Sequence, residues 1–292
     1  MSRCSVLWAA AGPPAWGTAA RADFWVCLET PGPWGPKAAT SARALDPALG
    51  GRLESLVEAM GGRLLLLRRA TRNTVGQDPL TVLVSGGFTD GGWATRFEVP
   101  TAAELMDWLA RWRADGMPTP AELETDPVLL VCSHARRDQC CALEGRPLLA
   151  DLEDDIGPES LWECSHLGGH RFAPTALLLP TGQVLGRLTP AEAVAAYRDA
   201  GVGLLWPGGA ARDRGRSHLP PERQAAEAWA LEQFGPARPA ELASRDEGSG
   251  IRVTHGHREA LVRVSRVDTG ASAPLSCGKT AEPITYWAVD PA

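Results

Sequence analysis

Apolar residues in the first 115 positions form short runs of strand length, separated by segments with the period of amphipathic helices. The best marked helix follows Thr101, because Glu104 completes a capping-box pattern there. Its apolar stripe repeats at spacings of four and three residues. The predicted elements are strand 23–29, helix 47–60, strands 63–69, 80–85 and 93–99, and helix 102–114. This part of the chain therefore has the predicted order β-α-β-β-β-α.

The same order begins again after a linker that contains Gly116, Pro118 and Pro120. The polar loop 133–141 follows the first strand of this second half. The predicted elements are strand 127–132, helix 146–155, strands 161–164, 175–179 and 184–188, and helix 190–200. Two halves of order β-α-β-β-β-α predict an α/β fold compatible with two thioredoxin-like layers.

The remaining residues predict a small α+β appendage, with helix 220–234 and strands 250–254 and 258–267. We therefore expect three units. They are 1–120, an N-terminal thioredoxin-like half; 121–207, a thioredoxin-like half with the chemistry described below; and 208–292, the appendage. A basic stretch with Arg212, Arg214 and Arg216 opens the third unit, and we expect it to be a solvated segment rather than a docking site for an acidic redox partner.

Composition narrows the function classes. The 292 residues are 44% hydrophobic and carry a net charge of −6 without a basic patch, so nucleic acid is not an expected partner. No apolar run approaches the roughly 20 residues that span a bilayer, and residues 1–11 lack the pattern of an export signal. We expect a soluble, cytoplasmic protein that does not bind membranes.

Seven cysteines, an odd number without a secretory signal, favour metal or redox chemistry over a disulfide framework. Four cysteines and three histidines lie within one short stretch: Cys132, Cys140, Cys141, Cys164, His134, His166 and His170. A pair C-x₈-C precedes a pair H-x₃-H that brackets two glycines, which favour a tight chelating turn. Two thiolates with two imidazoles suit zinc or an iron–sulfur cluster, and either Cys140 or Cys141 can supply the second thiolate.

A different ligand set would use the two C-x-H pairs, Cys132-x-His134 and Cys164-x-His166. These pairs are superficially similar to Rieske sites. A Rieske centre needs a C-x-x-H second box, which is missing, so we disfavour this set.

Residues 128–200, with VLLVCSHARRDQCC and then SHLGGHRFAPTALLLPTGQVLGRLTPAEAVAAYRDA, resemble the sucrase/ferredoxin-like family. The resemblance extends to Pro31-Gly32-Pro33-Trp34-Gly35 and to Arg214-Gly215-Arg216-Ser217. The C-terminal region of that family is similar to thioredoxin-like [2Fe-2S] ferredoxins, with histidines in place of the second cysteine pair. The resemblance implies Cys132 and Cys141 on one iron and His166 and His170 on the other, and it favours Cys141 over Cys140.

The resemblance implies a soluble electron-transfer protein, a redox carrier rather than a catalyst, whose partners are unidentified redox proteins. Neutral imidazole ligands raise the reduction potential, as in Rieske centres at about −150 to +300 mV, and make proton-coupled transfer an expectation. A potential that is constant between roughly pH 6 and 9 would contradict this coupling. Arg136, Asp138 and Arg171 are candidates for hydrogen bonds that tune the site.

Two alternatives stay open. One is a structural zinc site in a scaffold or interaction protein. The other is a thiol oxidoreductase that uses Cys140 and Cys141 or Cys132, although a C-x-x-C sequence after the first strand is missing.

Overall fold

The computed structural model describes residues 3–69, 79–115, 124 and 126–292. The fold is mixed α/β, with one large curled sheet of nine strands and a second sheet of four strands. Within the described ranges, the helices are too short or too polar to cross a membrane.

The first half contains the predicted strands and both predicted helices, preceded by an additional N-terminal helix. In chain order the elements are α1 (Cys4–Ala11), β1 (Phe24–Glu29), α2 (Ala38–Ser41), α3 (Pro47–Ala59), β2 (Arg63–Arg69), β3 (Leu80–Gly86), β4 (Trp93–Val99) and α4 (Ala102–Asp115). Asp46 caps α3 by accepting the backbone N–H of Leu49 at 2.8 Å. The predicted linker with Gly116, Pro118 and Pro120 lies outside the described residues.

The second half repeats this order. Its elements are β5 (Val128–Cys132), α5 (Gln139–Leu152), β6 (Leu161–Cys164), β7 (Thr175–Leu179), β8 (Gln183–Gly186) and α6 (Pro190–Gly201). The capping box predicted at Thr189 and Glu192 is present at the start of α6. Between β6 and β7 the chain makes a single 3₁₀ turn at His170–Phe172.

Helix α5 begins earlier than its predicted start at residue 146. The side chain of Asp138 caps it by accepting the backbone N–H of Cys140 at 2.9 Å, so the helix starts at Gln139. Cys140 and Cys141 therefore lie in the first helical turn and not in the predicted polar loop. The sequence contains the capping residue Asp138, but Gly145 and Pro147 disfavour a continuous helix, which placed the predicted start later.

Both halves contribute to one sheet, with strand order β4-β3-β1-β2-β6-β5-β7-β8-β9, where β9 is Asp213–Arg216. The first two strands of each half are parallel, and the halves join where β2 pairs antiparallel with β6. One apolar cluster runs across both halves on one face of the sheet. Helices α3 and α4 cover the first half's opposite face, and α5 and α6 cover that of the second half.

The C-terminal part contains more strands than predicted. Its elements are α7 (Gly209–Arg212), β9, α8 (Pro221–Phe234), β10 (Leu242–Glu247), β11 (Gly250–His255), β12 (Arg258–Pro274) and β13 (Ala281–Pro291), with β10 to β13 forming the second sheet. Strand β13 was not predicted, because Pro283 and Pro291 counted against a strand although the residues between them favour one.

The expectation that the basic stretch is solvated was wrong for Arg214 and Arg216, which are 1% and 3% exposed. Both lie on β9 at the end of the large sheet. Arg216 forms a buried ion pair with Glu227 of α8 and donates to the carbonyl of Leu242 at 2.8 Å. The guanidinium therefore ties the large sheet to α8 and to the second sheet.

Candidate metal centre

The candidate ligands lie at the carboxyl ends of two neighbouring strands. Strands β5 and β6 are parallel, and their last residues, Cys132 and Cys164, are register partners. The loops that follow parallel strands leave from the same edge of a sheet, so the segment after β5 and the segment after β6 meet there. The first leads into α5 with Cys141, and the second carries His166 and His170.

Three of the four predicted ligands are brought together. One donor atom from each of Cys132, Cys141 and His166 lies within 4.8 Å of the other two. The Cys141 sulfur is 4.0 Å from Nδ1 of His166. Both cysteines are buried and His166 is half-buried. A strand end, a first helical turn and a loop thus supply one group of two sulfurs and one nitrogen.

His170 lies beside this group, with its ring stacked on that of His166 at a centroid distance of 5.1 Å. Nδ1 of His170 is buried and has no hydrogen-bond partner among the described residues. Nε2 forms a 2.6 Å hydrogen bond with Oγ of Ser276 and is 3.6 Å from a carboxylate oxygen of Asp138. Burial lowers the pKa of His170, which favours the neutral imidazole with a lone pair for a ligand.

The two glycines between the histidines are required by the backbone. Gly168 and Gly169 have φ values of 79° and 71°, in the left-handed region that favours glycine. A Cβ on Gly169 would lie 2.3 Å from the guanidinium of Arg214. Arg214 donates to the carbonyl of Gly168 at 3.0 Å and also to the carbonyl of Thr18, so this buried side chain fixes the histidine turn.

The electrostatics favour a thiolate in this group. A hydrogen bond from Cys141 lowers the pKa of Cys132, and the nearby His166 lowers it further. The hydrogen bond to Cys132 and burial both raise the pKa of Cys141. This interaction thus favours ionisation of Cys132 over ionisation of Cys141. Burial lowers the pKa of Arg214 to about 9, and the guanidinium stays cationic at pH 7 close to both cysteines.

A cleft of about 320 Å³ reaches the site from the surface. His166 and His134 form part of its wall, together with charged side chains of both signs, including Lys37, Glu54 and Arg137. Nε2 of His134 is 2.7 Å from the carbonyl oxygen of Gly35, which makes it part of this wall rather than of the sulfur group. His166 is therefore the ligand candidate through which the site communicates with solvent.

Cys140 belongs to a second group of donors that the sequence did not reveal. The members are Cys4, Asp138, Cys140 and Cys277, with one donor atom of each within 4.8 Å of the others. Cys4 and Cys277 come from opposite ends of the chain, so no spacing pattern connects them. Asp138 was considered only as a hydrogen-bonding residue. Burial acts to raise the pKa of Asp138, but the N–H groups of Cys140 and Cys277 and the nearby His170 hold this pKa below its usual value.

The other candidates are placed differently. Arg136 is exposed, and Arg171 stacks over Trp8 at 4.7 Å. Cys164 is buried beside Cys132, where burial raises its pKa, and it joins neither group of donors among the residues that the structure describes.

The comparisons with known proteins identify a family. A profile of the sucrase/ferredoxin-like family matches residues 15–198, which include both cysteines and both histidines of the predicted site. Searches of curated proteins and of solved structures gave no match. The match covers more than half of the chain, and the protein belongs to the sucrase/ferredoxin-like family.

Proposed function

We propose that the protein is an electron carrier with a [2Fe-2S] cluster held by Cys132, Cys141, His166 and His170. The observation that carries the proposal is the convergence of donor atoms from Cys132, Cys141 and His166 within 4.8 Å, with the unpartnered Nδ1 of His170 on a ring stacked against His166. Soft thiolates with imidazoles form a donor set that suits iron–sulfur clusters.

The repeated β-α-β-β-β-α order and matching strand arrangement support the further proposal that both halves are thioredoxin-like. In each half the first two strands are parallel and the third pairs antiparallel with the first. In this proposal the second half corresponds to the ferredoxin region of the family, with donors at the end of its first strand and in the segments that follow the first and second strands.

The donor set fits the proposed group by its chemistry as well as its location. Two sulfurs would serve one iron and two neutral imidazoles the other. When bound, the group supplies reversible one-electron chemistry, and neutral imidazole ligands favour the reduced form relative to four thiolates.

The remaining residues of the site have separable tasks. Arg214 holds the turn between the histidines and contributes a buried positive charge near Cys132 and Cys141. Ser276 and Asp138 lie against Nε2 of His170, which leaves Nδ1 for the ligand and fixes the ring's orientation. Because His166 lines the surface cleft, a redox partner that docks there would approach the site on the histidine side.

Iron and acid-labile sulfide analysis on protein purified without oxygen tests this proposal. We expect two irons and two sulfides per chain, and a visible spectrum that changes in both His166→Cys and His170→Cys. A zinc scaffold would hold zinc at these residues without sulfide, and a thiol oxidoreductase would hold no metal there. Unchanged spectra in both variants would show that the histidines are not ligands.

A further inference from the structure

We propose that Cys4, Cys140, Cys277 and Asp138 form a structural zinc site, separate from the proposed redox site, that joins α1 and the loop between β12 and β13 to the start of α5. The proposal uses none of the four ligands of the proposed redox site and shares with it only Asp138, which lies 3.6 Å from Nε2 of His170. It can therefore stand or fall independently.

The three sulfurs lie in mutual contact. Cys4 and Cys140 are 3.5 Å apart, Cys140 and Cys277 are 3.3 Å apart, and Cys277 and Cys4 are 3.6 Å apart, each measured between Sγ atoms. Donors around a tetrahedral zinc with Zn–S bonds of 2.3 Å are separated by about 3.8 Å. The observed triangle needs to expand by only a few tenths of an ångström to accept the ion. All three separations are far longer than the roughly 2.05 Å of a disulfide.

The fourth donor distinguishes this group from ordinary packing of apolar thiols. The carboxylate of Asp138 is buried, with its side chain 1% exposed, and Oδ1 is 3.9 Å from the sulfur of Cys4. Its oxygens accept the backbone N–H groups of Cys140 at 2.9 Å and Cys277 at 2.8 Å. Each carboxylate oxygen carries two lone pairs, so Oδ1 can accept the Cys140 N–H and still ligate a cation that lies among the three sulfurs.

The donor types select the metal. Three sulfurs and one carboxylate oxygen form a complete tetrahedral set for Zn²⁺, with no position left for water, as in structural sites. Binding converts three thiols to thiolates and releases three protons. The four negative charges of the ligands then exceed the two positive charges of zinc. The guanidinium of Arg171, which stacks over Trp8 beside the site and interacts electrostatically with Cys4, lies where it can offset part of that excess.

The location gives the site a structural task. Cys4 begins α1, Cys140 lies in the first turn of α5, and Cys277 lies in the loop between β12 and β13. Ser276, next to Cys277, forms the hydrogen bond to Nε2 of His170. Zinc would therefore fix the C-terminal loop against the outer face of this histidine.

Metal analysis of the full-length protein, purified without oxygen from zinc-containing medium, tests the proposal. We expect one zinc per wild-type chain, and at least a tenfold lower zinc content in Cys277→Ser with unchanged iron. Cys277 is the least buried of the three cysteines, so this variant is the one best suited to retain the fold. Cys27→Ala is the matched control, because Cys27 is a buried cysteine outside both donor groups, and both metals should stay at wild-type levels.

Co²⁺ offered to zinc-free wild-type protein gives a second readout that does not depend on a variant. We expect tetrahedral d–d bands and thiolate charge-transfer bands. The site would be overturned if wild-type protein contained no zinc and also gave none of these bands with Co²⁺. It would also be overturned if zinc were lost in Cys132→Ser but retained in Cys277→Ser. A disulfide among the three cysteines in anaerobic protein would also overturn it. If the protein contained no iron but lost its zinc in Cys277→Ser, the proposed function would be contradicted and the zinc site would be supported.

Discussion

At the residue scale, the neighbours Cys140 and Cys141 have different surroundings. Cys141 lies with Cys132 and His166, whereas Cys140 lies with Cys4 and Cys277. Sequence spacing could not distinguish the two cysteines as ligands, because adjacent residues at the end of a loop can reach the same site. The start of α5 at Gln139 separates them, since successive residues of a helix point in directions about 100° apart.

Serine at these two positions should therefore have different effects. Cys141→Ser removes a thiolate of the proposed redox site, and we expect iron to fall to less than a tenth of the wild-type content. Cys140→Ser should retain iron and the visible spectrum. Iron analysis and absorption spectra of the folded variants test this, and equal iron loss in both would contradict the assignment of Cys141.

Asp213 makes stability depend on pH. Its carboxyl is buried, and burial raises its pKa to about 7, against the opposing hydrogen bonds from Gly215 and Gln183. In unfolded protein the pKa is about 3.9, so between these values the folded state binds more protons than the unfolded state. The free energy of unfolding from this group therefore falls as pH rises from about 4 to 7.

Asp213→Asn should remove this contribution. Denaturant unfolding at pH 5, 6, 7 and 8 measures the free energy of unfolding of both proteins. Relative to the variant, the wild-type value should fall by on the order of 1 kcal/mol per pH unit up to pH 7. Above pH 7 the difference between the two proteins should be constant. Parallel curves across the whole range would show that Asp213 is ionised throughout.

At the element scale, α5 and β5 must approach closely to bring Cys132 and Cys141 of the proposed redox site together. A Cβ on Gly145 of α5 would lie 2.2 Å from the carbonyl oxygen of Cys132, a backbone atom that cannot move independently of β5. The sequence pattern presents Gly145 only as a weak point in a helix. Its packing role depends on which element lies opposite, and helical periodicity does not specify that.

Gly145→Ala should push α5 away from the end of β5. We expect a lower iron content and a loss of about 1–3 kcal/mol in the free energy of unfolding. Gly157→Ala is the control, because a Cβ there would have open space, and it should change stability by less than about 1 kcal/mol. Iron analysis and denaturant unfolding measure both effects, and wild-type values for Gly145→Ala would refute the close packing.

The element order of both halves could be predicted because their apolar runs and caps are local signals. The start of α5 and strand β13 could not, because the glycine and the prolines in these segments counted against regular structure. The burial of Arg214 and Arg216 was also unpredictable, since their partners Gly168 and Glu227 are defined only by the tertiary fold.

At the scale of the whole molecule, the N-terminal helix and the loop between β12 and β13 meet beside the second half. Helix α1 and the loop after β12 bring Cys4 and Cys277, 273 positions apart, into contact with α5. No local pattern reports such a contact. The sequence therefore predicted the four residues of the proposed redox site but not the neighbouring donor group.

Removal of zinc should loosen this closure. A ligand at a hundred times its Kd stabilises a fold by about 2.7 kcal/mol, which corresponds to a Tm shift of several degrees. A zinc chelator should therefore lower the Tm of the wild type and leave that of Cys277→Ser unchanged, as thermal unfolding monitored by circular dichroism will show. Equal shifts in both proteins would mean that the stabilising metal lies elsewhere.

The central claim is that two histidines ligate a [2Fe-2S] cluster, and pulsed EPR of the reduced protein tests it most directly. The wild type should show hyperfine coupling to two inequivalent histidine nitrogens, and His166→Cys and His170→Cys should each lose one of them. A reduced cluster without nitrogen coupling, or anaerobic protein without iron and sulfide, would contradict the account.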